Sequence, residues 1–206
     1  MKRIIRKLHP KNWFRKEKEE SLTPPSSARL FFIELLKLTL LAVVTIFLVR
    51  YFLFKPFYVR GASMEPNFFD KEYLIIDELT YHFQTPQRGD IVVLRSPLNK
   101  SEYFLKRVIG LPGETIKIRD GQVLIFNEAN PEGLVLKEDY LVKGARTLPD
   151  VTTELGPDKY FVMGDNRFSS LDSRNLGPVD ESTLVGRVLV RGLPVNRAQF
   201  FNRPNY

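Results

Sequence analysis

Two hydrophobic patterns divide the chain, a long apolar stretch near the N-terminus and many short apolar runs after it. Residues 31–54 read FFIELLKLTLLAVVTIFLVRYFLF. As a helix this stretch would be roughly 36 Å long, enough to cross roughly 30 Å of hydrocarbon. Glu34 and Lys37 can pair on one face, and Arg50 and Lys55 can extend toward an interface. The pattern predicts a transmembrane anchor, with an in-plane anchor helix or a buried core helix as alternatives.

After residue 55 the pattern is typical of β-structure. Short runs rich in branched and aromatic residues are separated by turn residues, and no run keeps helical periodicity for three turns. Asp120-Gly121 lies between two runs and predicts a tight hairpin. Residues 127–158 are expected to form loops and a hairpin. We therefore predict an all-β domain of compact, partly closed antiparallel sheets. Its strands are expected at Tyr73–Ile76, Ile91–Leu94, Tyr103–Ile109, Thr115–Ile118, Val123–Phe126, Phe161–Met163 and Leu184–Val190.

The distribution of charge supports a division into three parts. Residues 1–30 hold nine basic and three acidic side chains and end in a Pro-rich linker, whereas the other 176 residues hold 22 basic and 21 acidic side chains. The net charge of +7 therefore belongs to the tail, and the main domain has no compositional support for nucleic-acid binding. We predict a basic cytoplasmic tail at 1–30, an anchor helix at 31–54 and an extracytoplasmic domain at 55–206.

The candidate chemistry centres on a serine shortly after the apolar stretch, in Ser63-Met64-Glu65-Pro66. A serine hydroxyl is a poor nucleophile unless a base lies within hydrogen-bond reach. The chain has two histidines: His9 lies in the tail, and His82 has no acid–Ser motif around it. A Ser-His-Asp triad and a His-rich zinc site are therefore disfavoured, and the absence of cysteine excludes Cys-based nucleophile or metal chemistry.

Lysine can serve as the base if it loses its proton, which burial against apolar groups favours. Lys106 lies in the strand-like run 103–109, where alternation gives it one face and Leu105 and Arg107 the other. A solvent-facing strand lysine is the alternative. Gly61 before the serine permits a tight backbone path, which can present the Ser63 N–H as an oxyanion donor.

Three segments in this order closely resemble the bacterial type I signal peptidases: Ser63–Pro66, Lys106–Gly113 and Gly164–Arg174. The resemblance runs from about Phe57 to Val190. It implies a membrane-anchored serine endopeptidase with a signal-peptidase-like β fold, in which Ser63 is the nucleophile and Lys106 the general base. It also implies that no metal or other cofactor takes part.

The resemblance further implies a supporting shell around the lysine. Ser170 is expected to hydrogen-bond and orient Lys106, Asp172 and Arg174 to form an ion pair, and Arg107 to lie in the same buried polar shell. Some members carry a hydroxyl residue two positions before the nucleophile; this chain, like other members, has Gly61. That side-chain contribution to the oxyanion hole is then absent.

Similar enzymes cleave after a small residue, usually Ala, with another small residue two positions upstream. Motif alignment suggests that Phe57, Val59, Met64, Phe68 and Leu105 line the substrate pockets, with the peptide added as a strand at a sheet edge. The expected partners are exported preproteins with signal peptides, the lipid bilayer and the translocation machinery, with no nucleic acid. The implied location is the bacterial plasma membrane or a thylakoid-type membrane, with the N-terminus cytoplasmic.

Two rival functions are open to a chain of this kind. A self-cleaving repressor could share the Ser–Lys pair and β fold, but such proteins cut at Ala-Gly or Cys-Gly, and this sequence contains neither dipeptide. A membrane-tethered binding domain would not need to retain both Ser63 and Lys106. A peptidase specialised for a few exported substrates is a narrower form of the main interpretation.

Overall fold

The computed structural model describes residues 27–52 and 54–202. Helix α1, Ser27–Phe52, begins four residues before the predicted anchor. An 18-residue stretch within its Ser27–Phe47 segment has a mean hydropathy of 2.3 and no buried residues, so the segment is long and apolar enough to cross a membrane. Of the predicted tail at 1–30, residues 1–26, including His9, lie outside the described residues, and residues 27–30 belong to helix α1. The side chains of residues 48–55, including Arg50 and Lys55 with their predicted interfacial roles, also lie outside what the structure describes.

In the rest of the described chain most of the regular secondary structure is β-strand, with one short helix, α2 Ser173–Leu176, and three single-turn 3₁₀ helices. Twelve strands lie in two sheets, and every strand pairing is antiparallel. In chain order they are β1 Phe54–Tyr58, β2 Tyr73–Asp77, β3 Ile91–Arg95, β4 Tyr103–Gly110, β5 Thr115–Arg119, β6 Gln122–Asn127, β7 Asn130–Val135, β8 Val151–Glu154, β9 Lys159–Met163, β10 Val179–Asp180, β11 Leu184–Leu193 and β12 Gln199–Phe200. The predicted all-β fold class is confirmed.

The larger sheet carries strand β4 in its interior. Its strand order is β1-β2-β11-β3-β4-β9-β10, with β12 paired to β11. Lys106 lies opposite Val92 of β3, and Arg107 lies opposite Met163 of β9. Both faces of β4 are buried from Lys106 onward. A lysine at this position is therefore withdrawn from solvent by the sheet itself.

The smaller sheet has the order β7-β6-β5-β8 and contains the predicted hairpin. Asp120 and Gly121 have φ values of 53° and 84°, the left-handed backbone that a two-residue hairpin turn requires. Residues 127–158 do contain a hairpin, because β7 folds back on β6. They also supply β8, which pairs with β5 and which the sequence pattern did not indicate.

Strand β1 was also missed by the sequence pattern. It contains Pro56, which cannot donate a backbone hydrogen bond and which favours edge strands. The strand is accordingly at an edge and pairs with β2. One buried apolar cluster packs behind the segment that follows β1; its members are Val59, Met64, Phe68, Leu74, Ile76, Ile91, Val93 and Val188.

Candidate active site

A cleft of about 500 Å³ opens between the end of β1 with the segment after it and the first half of β4. Ser63 and Lys106 both line it. Two elements distant in sequence therefore meet at this cleft, the turn that carries Ser63 and the strand that carries Lys106. The loop after β9 does not line the cleft but hydrogen-bonds to the turn.

The turn that carries Ser63 begins with a glycine in left-handed backbone conformation. Gly61 has φ = 87°, a value that other residues adopt at a cost, so glycine suits this position. Its N–H donates to Asp70 Oδ1 at 2.9 Å. The Glu65 N–H then donates to the Ala62 carbonyl at 3.2 Å, which closes the turn. Met64, next to the serine, is buried and anchors the turn in the apolar cluster.

The loop after β9 binds three consecutive residues of this turn. The backbone N–H of Asn166 donates to the Ser63 carbonyl at 3.0 Å, and its side-chain Nδ2 donates to the Ala62 carbonyl at 3.1 Å. The Asp165 N–H reaches Met64 Sδ at 3.5 Å. The position of Ser63 thus depends on residues about one hundred positions downstream.

Lys106 is only 3% exposed, and its amino group faces the serine. Nζ lies 2.9 Å from Ser63 Oγ and 3.0 Å from the Leu105 carbonyl oxygen. It also lies 5.2 Å from the centre of the Phe104 ring. The amino group therefore has two oxygen partners at hydrogen-bond distance and otherwise little access to water.

Burial lowers the pKa of Lys106 from 10.5 to about 8, because the charged ammonium loses its hydration. Asp172 and Asp165 oppose this shift by attracting the ammonium, and Arg174 adds to it by repulsion. A pKa near 8 increases the neutral fraction at neutral pH by roughly two orders of magnitude over a free lysine. The site can therefore supply a neutral amine beside a hydroxyl.

Asp172 and Arg174 form a bidentate buried ion pair, with Nε–Oδ1 and Nη2–Oδ2 distances of 2.9 Å each. Asp172 Oδ2 also accepts the Gly164 N–H at 2.9 Å. Although burial alone would raise the pKa of Asp172, the hydrogen bonds from Arg174 and Gly164 lower it. The carboxylate thus stays ionised and fixes the backbone at the start of the loop after β9.

Gly164 lies tightly against the serine turn and Ser170. A Cβ placed on Gly164 would lie 2.3 Å from the Ser63 carbonyl oxygen and 2.3 Å from Ser170 Oγ. Both distances are far below van der Waals contact. Only glycine fits this position without a shift of the turn or of Ser170.

Arg107 lies in a second buried pair on the same strand as the lysine. Its Nε and Nη2 donate to the Asp165 carboxylate at 2.8 and 2.7 Å, and its Nη1 donates to the Gly89 carbonyl at 3.1 Å. Asn67 Nδ2 donates to the same carboxylate at 2.8 Å. Because Asp165 adjoins Asn166, this pair holds the loop residues that contact the serine turn.

The expected hydrogen bond between Ser170 and Lys106 is not formed in the structure. Ser170 Oγ is buried but has no hydrogen-bond partner by distance and angle among the described residues. Its hydroxyl is near enough to Asp172 to help lower the pKa of that carboxyl. Ser170 therefore packs against Gly164 and makes no hydrogen bond to the lysine.

Comparison with known proteins assigns the family. Residues 32–193 match the family model for "Signal peptidase, peptidase S26", which is most of the chain. The chain belongs to this signal peptidase family. The match begins within helix α1 and ends at the end of β11, so it includes the serine turn, β4 and the loop after β9.

Relatives in this signal peptidase family align over most of their own length. Signal peptidase I P of Bacillus subtilis subsp. natto is 38% identical over 175 residues, covering 80% of this chain and 91% of that protein. Probable signal peptidase I-1 of Synechocystis sp. is 33% identical over 183 residues, covering 85% and 89%. A crystal structure of a signal peptidase I from Enterococcus faecalis V583 covers 50% of this chain and 97% of that chain, at 35% identity and a TM-score of 0.43.

Of the five residues expected in the substrate pockets, four line the cleft that contains Ser63 and Lys106. Phe57, Val59, Met64 and Leu105 line the cleft. Phe68 is not among the lining residues; it is fully buried, and its ring stacks on Phe201 with 4.5 Å between ring centres. The assignment of Phe68 to a pocket is therefore corrected, because the residue supports the turn from behind.

Sequence reasoning missed the role of Asn166. It lies in the quoted segment Gly164–Arg174, but the only signal was its place in that segment.

His82 is exposed, pairs with the Glu78 carbonyl at 3.0 Å and does not line the cleft. Among the described residues, no group of three or more His, Asp or Glu side chains is arranged to hold a metal ion.

Proposed function

We propose that this protein is a membrane-anchored serine endopeptidase that removes N-terminal signal peptides from exported preproteins. Ser63 is the nucleophile, Lys106 is the general base, and cleavage follows a small residue in an Ala-x-Ala pattern. Membership of the signal peptidase family supports the reaction class. The roles of these two residues are assigned from the 2.9 Å contact between Lys106 Nζ and Ser63 Oγ and from the cleft that both residues line.

The reaction uses the neutral amine of Lys106. Nζ takes the hydroxyl proton as Oγ attacks the carbonyl carbon of the scissile bond. The ammonium then gives that proton to the leaving amine, which departs as the new N-terminus and leaves an ester on Ser63. Water loses a proton to Nζ and attacks the ester, which releases the signal peptide and restores the serine.

Substrate recognition follows from the walls of the cleft. Strand β1 is an edge strand whose residues Phe57 and Tyr58 line the cleft, so an extended peptide can add alongside it by backbone hydrogen bonds. In an extended peptide alternate side chains face the same way. The residues one and three positions before the cut then face the apolar wall, where Val59, Met64 and Leu105 leave room for small side chains.

The proposed location rests on the N-terminal segment. Helix α1 can span a bilayer by length and composition. The nine basic residues in 1–30 favour a cytoplasmic N-terminus, which puts the β-domain on the extracytoplasmic side. Preproteins, the bilayer and the translocation machinery are then the partners, in a plasma or thylakoid-type membrane.

Bulky residues next to the cleavage site should block the reaction. We expect detergent-solubilised full-length protein to cut a preprotein after Ala-x-Ala. Changing either alanine to Phe should lower kcat/KM by at least about 10²-fold, because the aromatic ring cannot enter a pocket built for a methyl group. Mass spectrometry of the mature product measures both the rate and the site of cleavage.

The matched control changes the middle residue to Phe, which should leave kcat/KM within about threefold because that side chain faces away from the wall. A Ser63→Ala variant should give no product. Equal cleavage with Phe at any of the three positions, or full cleavage by Ser63→Ala, contradicts the proposed function.

A further inference from the structure

Among the described residues, only one end of the peptide unit between Ala62 and Ser63 is held by hydrogen bonds. Its carbonyl oxygen accepts hydrogen bonds from Asn166 Nδ2 at 3.1 Å and from the Glu65 N–H at 3.2 Å. Its other end, the N–H of Ser63, donates to no other described residue. That N–H belongs to a residue lining the cleft, where it can serve a substrate.

Planarity of the peptide couples these two ends. The Ala62–Ser63 bond is trans, so its N–H points in nearly the opposite direction from its C=O. A side chain that fixes the direction of the Ala62 carbonyl therefore also fixes the direction of the Ser63 N–H. The backbone N–H of Asn166, bound to the Ser63 carbonyl at 3.0 Å, holds the next peptide unit as well.

The orientation of Asn166 is itself determined by its surroundings. Its Oδ1 accepts the Ser169 N–H at 3.2 Å, which leaves Nδ2 as the group that faces Ala62. The preceding residue, Asp165, is fixed by the bidentate pair with Arg107 and by Asn67. The amide donor of Asn166 is thus presented from a rigid loop.

We propose that Asn166 is a positioning residue that directs the Ser63 N–H as an oxyanion donor. The inference rests on the proposed function. When Oγ adds to the scissile carbonyl, negative charge develops on the carbonyl oxygen and the Ser63 N–H donates to it. The bond from Nδ2 to the Ala62 carbonyl keeps that peptide dipole aligned and polarises the N–H. Since the charge develops only as the tetrahedral intermediate forms, the contribution of Asn166 should appear in kcat.

The test compares Asn166→Asp and Asn166→Ala in full-length protein in detergent, with a preprotein substrate. The aspartate keeps an oxygen for the Ser169 N–H but loses the donor to Ala62, whereas alanine loses both. We expect kcat to fall by roughly 10- to 100-fold in both variants, somewhat less than for outright loss of an oxyanion donor. KM should stay within about twofold.

The affinity for a peptide aldehyde ending in Ala, compared with that for the peptide acid, distinguishes this positioning role from a merely structural one. The Ser63 hydroxyl adds across the aldehyde C=O, giving a hemiacetal whose oxygen occupies the oxyanion position. Affinity for the aldehyde should fall by the same factor as kcat/KM. Affinity for the corresponding peptide acid, which binds without forming the adduct, should not change. Phe168→Ala, on the same loop and 77% exposed, is the control and should match the parent.

Several outcomes would overturn the inference. One is parental kcat in Asn166→Asp with loss only in Asn166→Ala, since the Ser169 bond would then be the one that matters. Equal losses of aldehyde and acid affinity, or failure of both variants to fold, would assign Asn166 a structural role. An inert parent would instead contradict the proposed function, because the Asn166 comparison depends on parental activity.

Discussion

Replacing Lys106 with Met should abolish turnover almost completely. The substitution keeps an unbranched apolar side chain of similar length in a buried position but removes the group that lies 2.9 Å from Ser63 Oγ. Loss of a general base typically lowers the reaction rate by about 10²–10⁴-fold. Where the base acts as a unit with its nucleophile, as in a well-studied serine protease, its loss lowers kcat by on the order of 10⁶-fold. We therefore expect kcat to fall by at least about 10⁴-fold.

Two further variants make this expectation specific to the amine. Lys106→Arg keeps a positive charge but cannot offer a neutral nitrogen, so it should be as inactive as Lys106→Met. Lys143→Met removes an exposed lysine and should behave as the parent. Quenched-flow or steady-state cleavage of a preprotein measures kcat in each case. Substantial activity in Lys106→Arg would show that another group takes the proton.

Gly164→Ala should also strongly reduce activity, although it adds only one methyl group. The new Cβ would lie 2.3 Å from both the Ser63 carbonyl oxygen and Ser170 Oγ, so the serine turn or the loop after β9 must move. A misplacement of about 1 Å at a reacting group can cost on the order of 10²-fold in rate. Overpacking of this kind also destabilises a fold by typically about 1–3 kcal/mol. We expect kcat to fall by about 10²-fold or more.

Gly156→Ala offers a matched control for this variant. A Cβ on Gly156 would meet only Lys159 Cγ, at an ordinary distance of 3.5 Å, and the backbone there is not left-handed. Its activity and melting temperature should stay close to those of the parent. If Gly164→Ala also retains parental kcat, the contact between the loop and the serine turn does not control the geometry of the site.

Much of this architecture follows from local sequence pattern. Branched and aromatic runs mark most strands, because such side chains pack well on a pleated surface, and Asp120-Gly121 marks a hairpin for its tolerance of positive φ. The chain has only two histidines, one in the tail and one remote from any acid–Ser motif. This scarcity favours a lysine as the base. The motifs then single out Ser63 and Lys106, whose reactive atoms the structure brings to hydrogen-bond distance.

The remainder depends on contacts between distant segments, which no local pattern encodes. Asn166 is about one hundred residues from the turn that it binds, and its neighbours in sequence give no sign of that partner. Phe68 is apolar and close to the serine, so sequence alone cannot decide whether it faces the cleft or the core behind it. The sequence pattern did not indicate strand β1, because Pro56 disfavours a strand unless that strand lies at the edge of a sheet, as β1 does.

The account depends most on the claim that a neutral Lys106 activates Ser63, and the pH dependence of kcat/KM tests it most directly. Burial lowers the pKa of Lys106 to about 8, and the unprotonated amine is the active form in the proposed mechanism. Activity should therefore rise about tenfold per pH unit from pH 6, reach half its maximum near pH 8 and level off above about pH 9. A profile that stays at its plateau down to pH 6, in protein that remains folded, would contradict it.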